Sequence, residues 1–126
     1  MFRSERAFSG FSVDDIEAAR AFYGGILGLD VSENAMGILE IPLPGGGHAI
    51  AYPKQDHVPA TFTILNFAVA DVDAAVAALN DSGVVTKIYD DDELPTDGTG
   101  VMRGHGPTIA WFRDPAGNVL SVIAAG

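Results

Sequence analysis

Apolar and polar positions first alternate with a period of two and then recur at helical spacing, and this happens twice along the chain. Phe11 and Val13 alternate with smaller residues, as do Phe67 and Val69, which is typical of short strands. Helical spacing follows in each case, at Ile16, Ala19, Tyr23, Ile26 and Leu27, and again at Val72, Ala75, Val76 and Leu79. The pattern predicts helices over about 15–27 and 71–82.

Residues suited to helix ends flank both predicted helices. Asp15 and Asp71 stand where the helices would begin, and aspartate is a good N-cap because its carboxylate accepts hydrogen bonds from the first backbone N–H groups. Gly28 and Gly83 stand where they would end, and glycine is common at that point.

The two strand-to-helix segments are copies of each other. Residues 11–21 align with residues 67–77 at one offset of 56, which pairs Phe11 with Phe67, Val13 with Val69 and Asp15 with Asp71. A fixed offset over a whole transition indicates duplicated structural units. We therefore predict one domain, residues 1–126, with a first module over 7–52, a linker over 53–60 and a second module over 61–124.

Three strands are expected after each helix, which makes each module β-α-β-β-β. The predicted strands cover 29–33, 36–43 and 47–52 in the first module, and 84–89, 103–113 and 118–124 in the second. Residues 114–117, Asp-Pro-Ala-Gly, predict a hairpin turn before the last strand. The acidic, glycine-rich stretch 90–100 is expected to be a solvated loop and the mobile flap of any binding site.

Composition narrows the class of protein. Hydrophobic residues make up 48% of the chain, which favours a packed globular domain, and no apolar run is long enough for a membrane span. The net charge of −10 opposes binding to nucleic acid, and the absence of cysteine excludes disulfides and thiolate chemistry. The first ten residues lack the apolar core of a signal peptide, so a cytoplasmic location is expected.

Two local motifs point to a known family. The first is the Val-x-Asp-hydrophobic strand end at residues 13–16, followed by Phe22-Tyr23 and by Leu27-Gly28-Leu29, and the second is residues 110–120, ending Arg-Asp-Pro-Ala-Gly-Asn-Val-Leu. They resemble the first module and the closing hairpin of the vicinal oxygen chelate superfamily, which includes glyoxalases, bleomycin-resistance proteins and dioxygenases. The resemblance implies an α+β fold in which two β-α-β-β-β modules form a half-open barrel around a cupped cavity.

Enzymes of that superfamily hold a divalent metal through His and Glu, and the resemblance places the four ligand positions at Phe8, Ile64, Ser121 and, within one residue, Ala51. None of these side chains is an imidazole or a carboxylate, and Ser121 alone carries a donor, a weak one. We therefore expect neither a metal nor another cofactor. A reaction without a metal would need a positioned acid or base, for which His48, His105 or a loop carboxylate are the candidates. His57, in the linker, is expected to be a surface or turn residue.

Residues two apart on a strand share a face, so Phe8 shares its face with Gly10 and Ser12, and Ile64 with Asn66. We predict a ligand-binding cup with an apolar lining and a few hydrogen-bonding groups. Its candidate residues are Phe8, Ser12, Ile64, Asn66, Trp111, Ser121, Arg103 and His105, the last two at its mouth. Trp111 and Phe112 lie on opposite faces of their strand, and the sequence leaves open which of them reaches the cavity.

The function that the sequence favours is metal-free binding of a small hydrophobic or cationic molecule, for sequestration or resistance. Bleomycin-resistance members of the superfamily bind a cationic ligand between two subunits, and the apolar excess of this chain likewise predicts a homodimer. The alternative is a lyase, isomerase or dioxygenase-like enzyme with an atypical or absent metal. A regulatory subunit also remains open, and no catalytic residue is assigned.

Overall fold

A computed structural model describes all residues from Met1 to Gly126, which divide into two compact units, Met1–Pro59 and Ala60–Gly126. The elements of the first unit are β1 (Ser9–Val13), α1 (Ile16–Arg20), β2 (Ser32–Glu33), β3 (Leu39–Pro42) and β4 (His48–Pro53). Those of the second unit are β5 (Thr63–Val69), α2 (Val72–Asp81), β6 (Val101–Met102), β7 (Ile109–Arg113) and β8 (Val119–Ala124). Both units therefore have the predicted β-α-β-β-β order, and the α+β class is confirmed.

The two sheets have the same topology. The strand orders are β1-β4-β3-β2 and β5-β8-β7-β6, and in each sheet the first strand runs parallel to the last while the other neighbours are antiparallel. The parallel pairing of β1 with β4, and of β5 with β8, needs a long connection, which the helix and the two intervening strands supply. The strand that carries the start of each repeat thus lies at the edge of its sheet.

Both helices begin as predicted. The carboxylate of Asp15 accepts hydrogen bonds from the N–H groups of Glu17 (3.0 Å) and Ala18 (3.2 Å), and that of Asp71 accepts one from Ala74 (3.0 Å). The first helix continues beyond Arg20 as a π-helical segment, Ala21–Ile26, in which Leu27 N–H donates to the carbonyl of Phe22. Each helix ends one or two residues before its predicted glycine.

The core of the first unit lies between its helix and one face of its sheet. Val13, Tyr23, Leu39 and Ile41 are fully buried there. The ring of Phe11 on β1 lies 5.7 Å from that of Tyr23, so the face of β1 that carries Phe11 and Val13 is the one that packs against the helix. The opposite face of β1 carries Gly10 and Ser12, and is therefore available for function.

The prediction of a strand over 84–89 is wrong, because this segment pairs with no strand in the structure. Its polar groups bond instead to the loop that follows. The hydroxyl of Thr86 donates to the carbonyl of Thr99 (2.6 Å), and the amide of Asn80 donates to the same hydroxyl (3.0 Å). The short strand Val101–Met102 pairs with β7 in its place. The strand predicted over 103–113 begins only at Ile109.

Hydrogen bonds fix the path of the acidic loop 90–100, although most of its residues are exposed as expected. Asp90 and Glu93 cap each other's backbone N–H groups, at 2.9 and 3.1 Å. The ammonium of Lys87 donates to the hydroxyl of Thr96 at 2.5 Å. The Asp97 carboxylate accepts from the N–H groups of Thr99 and Val101, and the Val101 bond is the largest cause of the lowered pKa of Asp97.

Candidate functional site

The face of the first sheet that carries Gly10, here called the Gly10 face, combines aromatic, imidazole and hydroxyl groups. Gly10 pairs with Ile50, which in turn pairs with Glu40, while Ser12 pairs with Tyr52. Paired residues share a face, and a Cβ built on Gly10 would lie 3.2 Å from Ile50 Cγ1 and 3.8 Å from Tyr52 Cε1. Glycine at this position thus lets Ile50 and Tyr52 pack directly against the strand backbone.

Phe8 and His48 form one end of this face. Their rings stack with centroids 4.9 Å apart and planes inclined by 16°, and the Arg6 guanidinium lies 5.5 Å from the Phe8 centroid. Phe8 remains 53% exposed, so it offers an accessible aromatic surface. The predicted site residue Phe8 therefore stacks on His48, which the sequence suggested only as a candidate acid or base.

Ser12 and His57 form the other end of the face. Ser12 Oγ lies 2.6 Å from His57 Nδ1, and both residues are half-buried. His57 closes a turn of the linker, one of the two expected placements, and it is half-buried because the linker folds back on β1. A turn achieves this, in which Lys54 N–H donates to the Val13 carbonyl and His57 N–H donates to the Lys54 carbonyl. Nothing in the local sequence around His57 signalled this long-range contact.

Ala51, which the resemblance placed at the third ligand position within one residue, does not lie on the Gly10 face. Ala51 pairs with Phe11 and Leu39 on the helix side of the sheet, and it is fully buried. Its neighbours Ile50 and Tyr52 lie on the Gly10 face instead. In a strand a shift of one residue exchanges the two faces, so the one-residue margin of this prediction separates a core position, Ala51, from the Gly10 face.

The second sheet carries a row of three predicted site residues. Asn66, Ser121 and Trp111 are paired in register across β5, β8 and β7, so their side chains lie side by side on what is here called the Ser121 face. Ser121 Oγ donates to Asn66 Oδ1 at 2.5 Å. Ser121 is fully buried whereas Asn66 is exposed, so Ser121 orients the Asn66 amide, and Asn66 is the member of the pair that a ligand can reach.

Trp111, and not Phe112, is the aromatic residue of β7 that lies on the Ser121 face. Phe112 pairs with Leu120 on the other face and is fully buried. The Trp111 ring meets that of Tyr89 edge to face, with centroids 5.4 Å apart and an interplanar angle of 84°. Trp111 is 8% exposed, so its indole is held in a fixed orientation with a small area accessible.

Ile64 lies at an irregularity of the second sheet. The register of β5 with β8 shifts between Thr63 and Leu65, so Ile64 is the extra residue of a bulge. The predicted alternation of Ile64 with Asn66 assumed a regular strand, and the bulge interrupts it. Thr63 pairs with Val119 and therefore belongs to the Ser121 face together with Asn66.

The structure joins Arg103 to acidic side chains of its own unit rather than to the residues of the Ser121 face. Its guanidinium donates to both carboxylate oxygens of Asp73 in the first turn of α2, at 2.5 and 3.2 Å, and lies 3.6 Å from an oxygen of Asp97. These pairings raise the pKa of Arg103. His105 is exposed in the bend that follows.

The residues at the superfamily's ligand positions do not fit a divalent metal. Phe8 and Ile64 have no donor atom, the position on β4 is occupied by Ile50 or Tyr52, and the Ser121 hydroxyl is engaged by Asn66. No group of three or more His, Cys, Asp or Glu side chains in the chain is placed to hold a metal ion. The chemistry open to both faces is therefore stacking, hydrogen bonding and proton transfer.

The family model of the Glyoxalase/Bleomycin resistance protein/Dioxygenase superfamily matches residues 8–122. The chain belongs to this superfamily. No curated protein sequence matches the chain.

Solved structures of the glyoxalase superfamily share the fold over almost the whole chain. A superfamily member from Sphaerobacter thermophilus DSM 20745 is 19% identical, with 98% of each chain covered and a TM-score of 0.73. The antibiotic binding protein TnmS3 from Streptomyces sp. CB03234 is 24% identical, with 100% of this chain and 99% of that chain covered and a TM-score of 0.73. A lactoylglutathione lyase from Agrobacterium tumefaciens is 19% identical, with 98% and 95% covered and a TM-score of 0.70. These likenesses establish the fold alone.

The helices of this glyoxalase-superfamily chain are too short and too polar for any of them to cross a bilayer. Apart from the two sheet faces, a shallow depression of about 340 Å³ lies between the end of α2 and residues 98–99. Its one charged lining residue is Lys87, whose ammonium is already engaged by Thr96 and Asp91. The two sheet faces are therefore better candidate sites than the depression.

Proposed function

We propose that the protein binds a small, planar and largely apolar molecule without a metal, in a sequestration or resistance role. The observation that carries this proposal is the row Trp111, Ser121 and Asn66 on the second sheet. It combines an oriented indole, a buried hydroxyl and an exposed amide at neighbouring positions of one face. Small-molecule sites have this composition, a mainly apolar lining with a few placed polar groups.

The surroundings of the row favour an aromatic ligand. Ala68 and Ile123 are neighbours in register on the same face, and together with Ile109 they give it an aliphatic floor. An aromatic ring of a ligand gains stacking energy against an indole in addition to the burial of its own surface. Because Ser121 holds the carbonyl oxygen of the Asn66 amide, the amide nitrogen is the group that would donate to a ligand acceptor.

The charge of the whole chain favours neutral or cationic ligands over anions. At a net charge of −10, a cationic ligand is attracted over several ångströms and an anionic one is repelled. One of the proteins that share the fold is an antibiotic binding protein, which is compatible with sequestration, but at 24% identity it supports this role only by analogy. We also propose that the protein is a cytoplasmic homodimer.

Trp111 makes the proposal directly testable because it is the only tryptophan of the chain. We expect its fluorescence to change on titration with the planar cation acridine orange and with neutral 2-naphthol, and to change less with the anion 1-anilinonaphthalene-8-sulfonate. Replacing Asn66 by alanine should weaken binding about 3- to 10-fold, which corresponds to the loss of one hydrogen bond. Treatment with EDTA should leave the affinities unchanged.

Gln55→Ala is the matched control, since it also removes an exposed amide, but in the other unit. It should bind the probes like the unaltered protein. Trp111→Phe removes the fluorescence signal and retains an aromatic ring, so calorimetry should find weaker but measurable binding. Equal affinities of the Asn66→Ala and Gln55→Ala variants, or no change of Trp111 fluorescence with any probe, would place the ligand elsewhere and end the proposal.

A further inference from the structure

The contact between Ser12 and His57 joins a hydroxyl on β1 to an imidazole of the linker, 45 residues away in the chain. The separation of 2.6 Å between Ser12 Oγ and His57 Nδ1 falls within the range of nucleophile–base pairs. The backbone that carries the imidazole is positioned beside β1, because His57 N–H donates to the Lys54 carbonyl at 3.1 Å and Lys54 N–H donates to the Val13 carbonyl at 2.9 Å. The pair is therefore organised before any ligand arrives.

The acidic residue next to His57 in the chain, Asp56, has a basic partner of its own. The Asp56 carboxylate is paired with the ammonium of Lys54 at 2.5 Å, and this hydrogen bond holds the pKa of Asp56 below its usual value. On the other side of Ser12, the next residue of the same face is Gly10, which is exposed and has no side chain. The side chains of Ile50 and Tyr52 pack against the backbone at Gly10, so a small substrate would approach the half-buried Ser12 hydroxyl from the edge of the sheet, where β1 is the outermost strand.

We propose that Ser12 and His57 form a metal-independent nucleophile and general-base pair that accepts an acyl group from an activated carboxylic ester. This activity goes beyond the binding proposed above and resides in the other unit of the chain. It also differs from the acid or base candidates suggested by the sequence, His48 and His105. Neither of those has a hydroxyl within hydrogen-bond distance in the structure, whereas His57 has Ser12.

The step is an acyl transfer in which no atom changes oxidation state. The Ser12 Oγ–H proton passes to His57 Nδ1 while Oγ forms a bond to the carbonyl carbon of an aryl ester. The bond from that carbon to the aryl oxygen breaks, and the leaving aryloxide keeps the electron pair and takes the proton from the imidazolium. The products are an ester at Ser12 and a phenol, and water then releases the carboxylic acid. The step requires the His57 tautomer with its proton on Nε2.

Acetylation by p-nitrophenyl acetate tests the activity on the full chain. We expect release of p-nitrophenol together with an acetyl group on the peptide that contains Ser12, as read by mass spectrometry. His57→Gln should slow the acetylation of Ser12 by about 10²-fold or more, the usual contribution of a general base. The control Gln55→Ala alters an exposed side chain of the same linker and should react like the unaltered protein. Acetylation confined to lysines or to the N-terminus, or unchanged in His57→Gln, would overturn the proposal.

A second measurement tests whether His57 acts on the group at position 12. It uses a cysteine introduced there, since the chain itself contains none. In Ser12→Cys the new thiol is the only one, and the pH dependence of its alkylation by iodoacetamide gives its pKa. A thiol paired with His57 should have a pKa of about 7 or lower, and in the double variant Ser12→Cys, His57→Gln it should return to about 8.5.

A thiol pKa of about 8.5 in both variants would mean that the pair only fastens the linker to β1, and the proposal would fall. Circular dichroism establishes in each case that the variant is folded. The fluorescence of Trp111 in the other unit reports the proposed binding independently, so failure of one proposal is distinguishable from failure of the other.

Discussion

Gly100 is the residue whose surroundings leave least room for a side chain. Its φ of +92° lies in the region that favours glycine, and a Cβ there would fall 1.8 Å from the Thr86 carbonyl oxygen and 2.5 Å from its carbon. We predict that Gly100→Ala lowers the free energy of unfolding by about 3 kcal/mol or more, since backbone strain and a backbone clash act together. Urea denaturation monitored by circular dichroism gives the value.

Gly98→Ala is the control in the same loop. A Cβ on Gly98 would have no neighbour within 4 Å and its φ is not in the glycine region, so its replacement should change the stability by less than about 1 kcal/mol. If Gly100→Ala were as stable as Gly98→Ala, the close approach of residues 86 and 100 would not exist in solution.

The alternation of residues along a strand predicted correctly the sheet face of some site residues but not of others. Asn66 and Ser121 follow from alternation within regular strands, and the structure places them in one row with Trp111. The prediction for Ile64 used the same rule, but Ile64 lies at a bulge that the local sequence pattern does not indicate. Alternation assigns residues to two faces, but only pairing with a neighbouring strand tells which faces of different strands coincide.

At the scale of elements, the loop 90–100 is organised by the Asp97 carboxylate. It accepts hydrogen bonds from Val101 N–H at 3.0 Å and from Thr99 N–H and the Thr99 hydroxyl, each at 2.9 Å. The Arg103 guanidinium lies 3.6 Å away. The hydrogen bond from Val101 N–H is the largest cause of the lowered pKa of Asp97, whose ordinary value is 3.8. Thr99 and Arg103 make smaller contributions in the same direction. The folded loop therefore prefers the ionised carboxylate.

The lowered pKa predicts a pH dependence with a definite sign. The stability that the Asp97 carboxylate contributes is fully present above the unfolded-state pKa of about 3.9, and it is lost as the pH falls through the lower folded-state pKa. We expect Asp97→Asn to be less stable than the unaltered protein at pH 7, and the difference to shrink as the pH falls below about 4. Urea unfolding over a pH series measures it.

Asp92→Asn provides the comparison for this experiment, because Asp92 is an exposed carboxylate of the same loop for which the structure gives no hydrogen bond. Asp92→Asn should leave the free energy of unfolding nearly unchanged throughout the pH series. A difference between Asp97→Asn and the unaltered protein that stays constant from pH 7 to acidic pH would show that the carboxylate charge does not stabilise the loop.

At the scale of the whole molecule, large apolar side chains remain at the surface. The exposed fractions are 89% for Phe2, 76% for Met36, 80% for Val58 and 69% for Phe62. Burying such side chains against a second copy gains about 25 cal/mol per Å², whereas repulsion between the charged subunits is screened beyond about 8 Å at physiological salt. These terms favour the homodimer proposed above.

Light scattering at micromolar concentration should give a mass near twice 13.1 kDa. Because the net charge of −10 on each chain opposes association, raising the salt concentration should strengthen the dimer rather than dissociate it. A mass near 13.1 kDa at every protein and salt concentration would rule the homodimer out.

The sequence by itself determined the two β-α-β-β-β units, the starts of both helices and the family, since these depend on local periodicity, on capping side chains and on a repeat within the chain. Tertiary structure alone decided three features. The linker carries His57 back to Ser12, Trp111 rather than Phe112 shares the Ser121 face, and residues 84–89 bond to a loop instead of forming a strand. Each depends on contacts with residues of another segment, and such contacts leave no periodic signal in the local sequence.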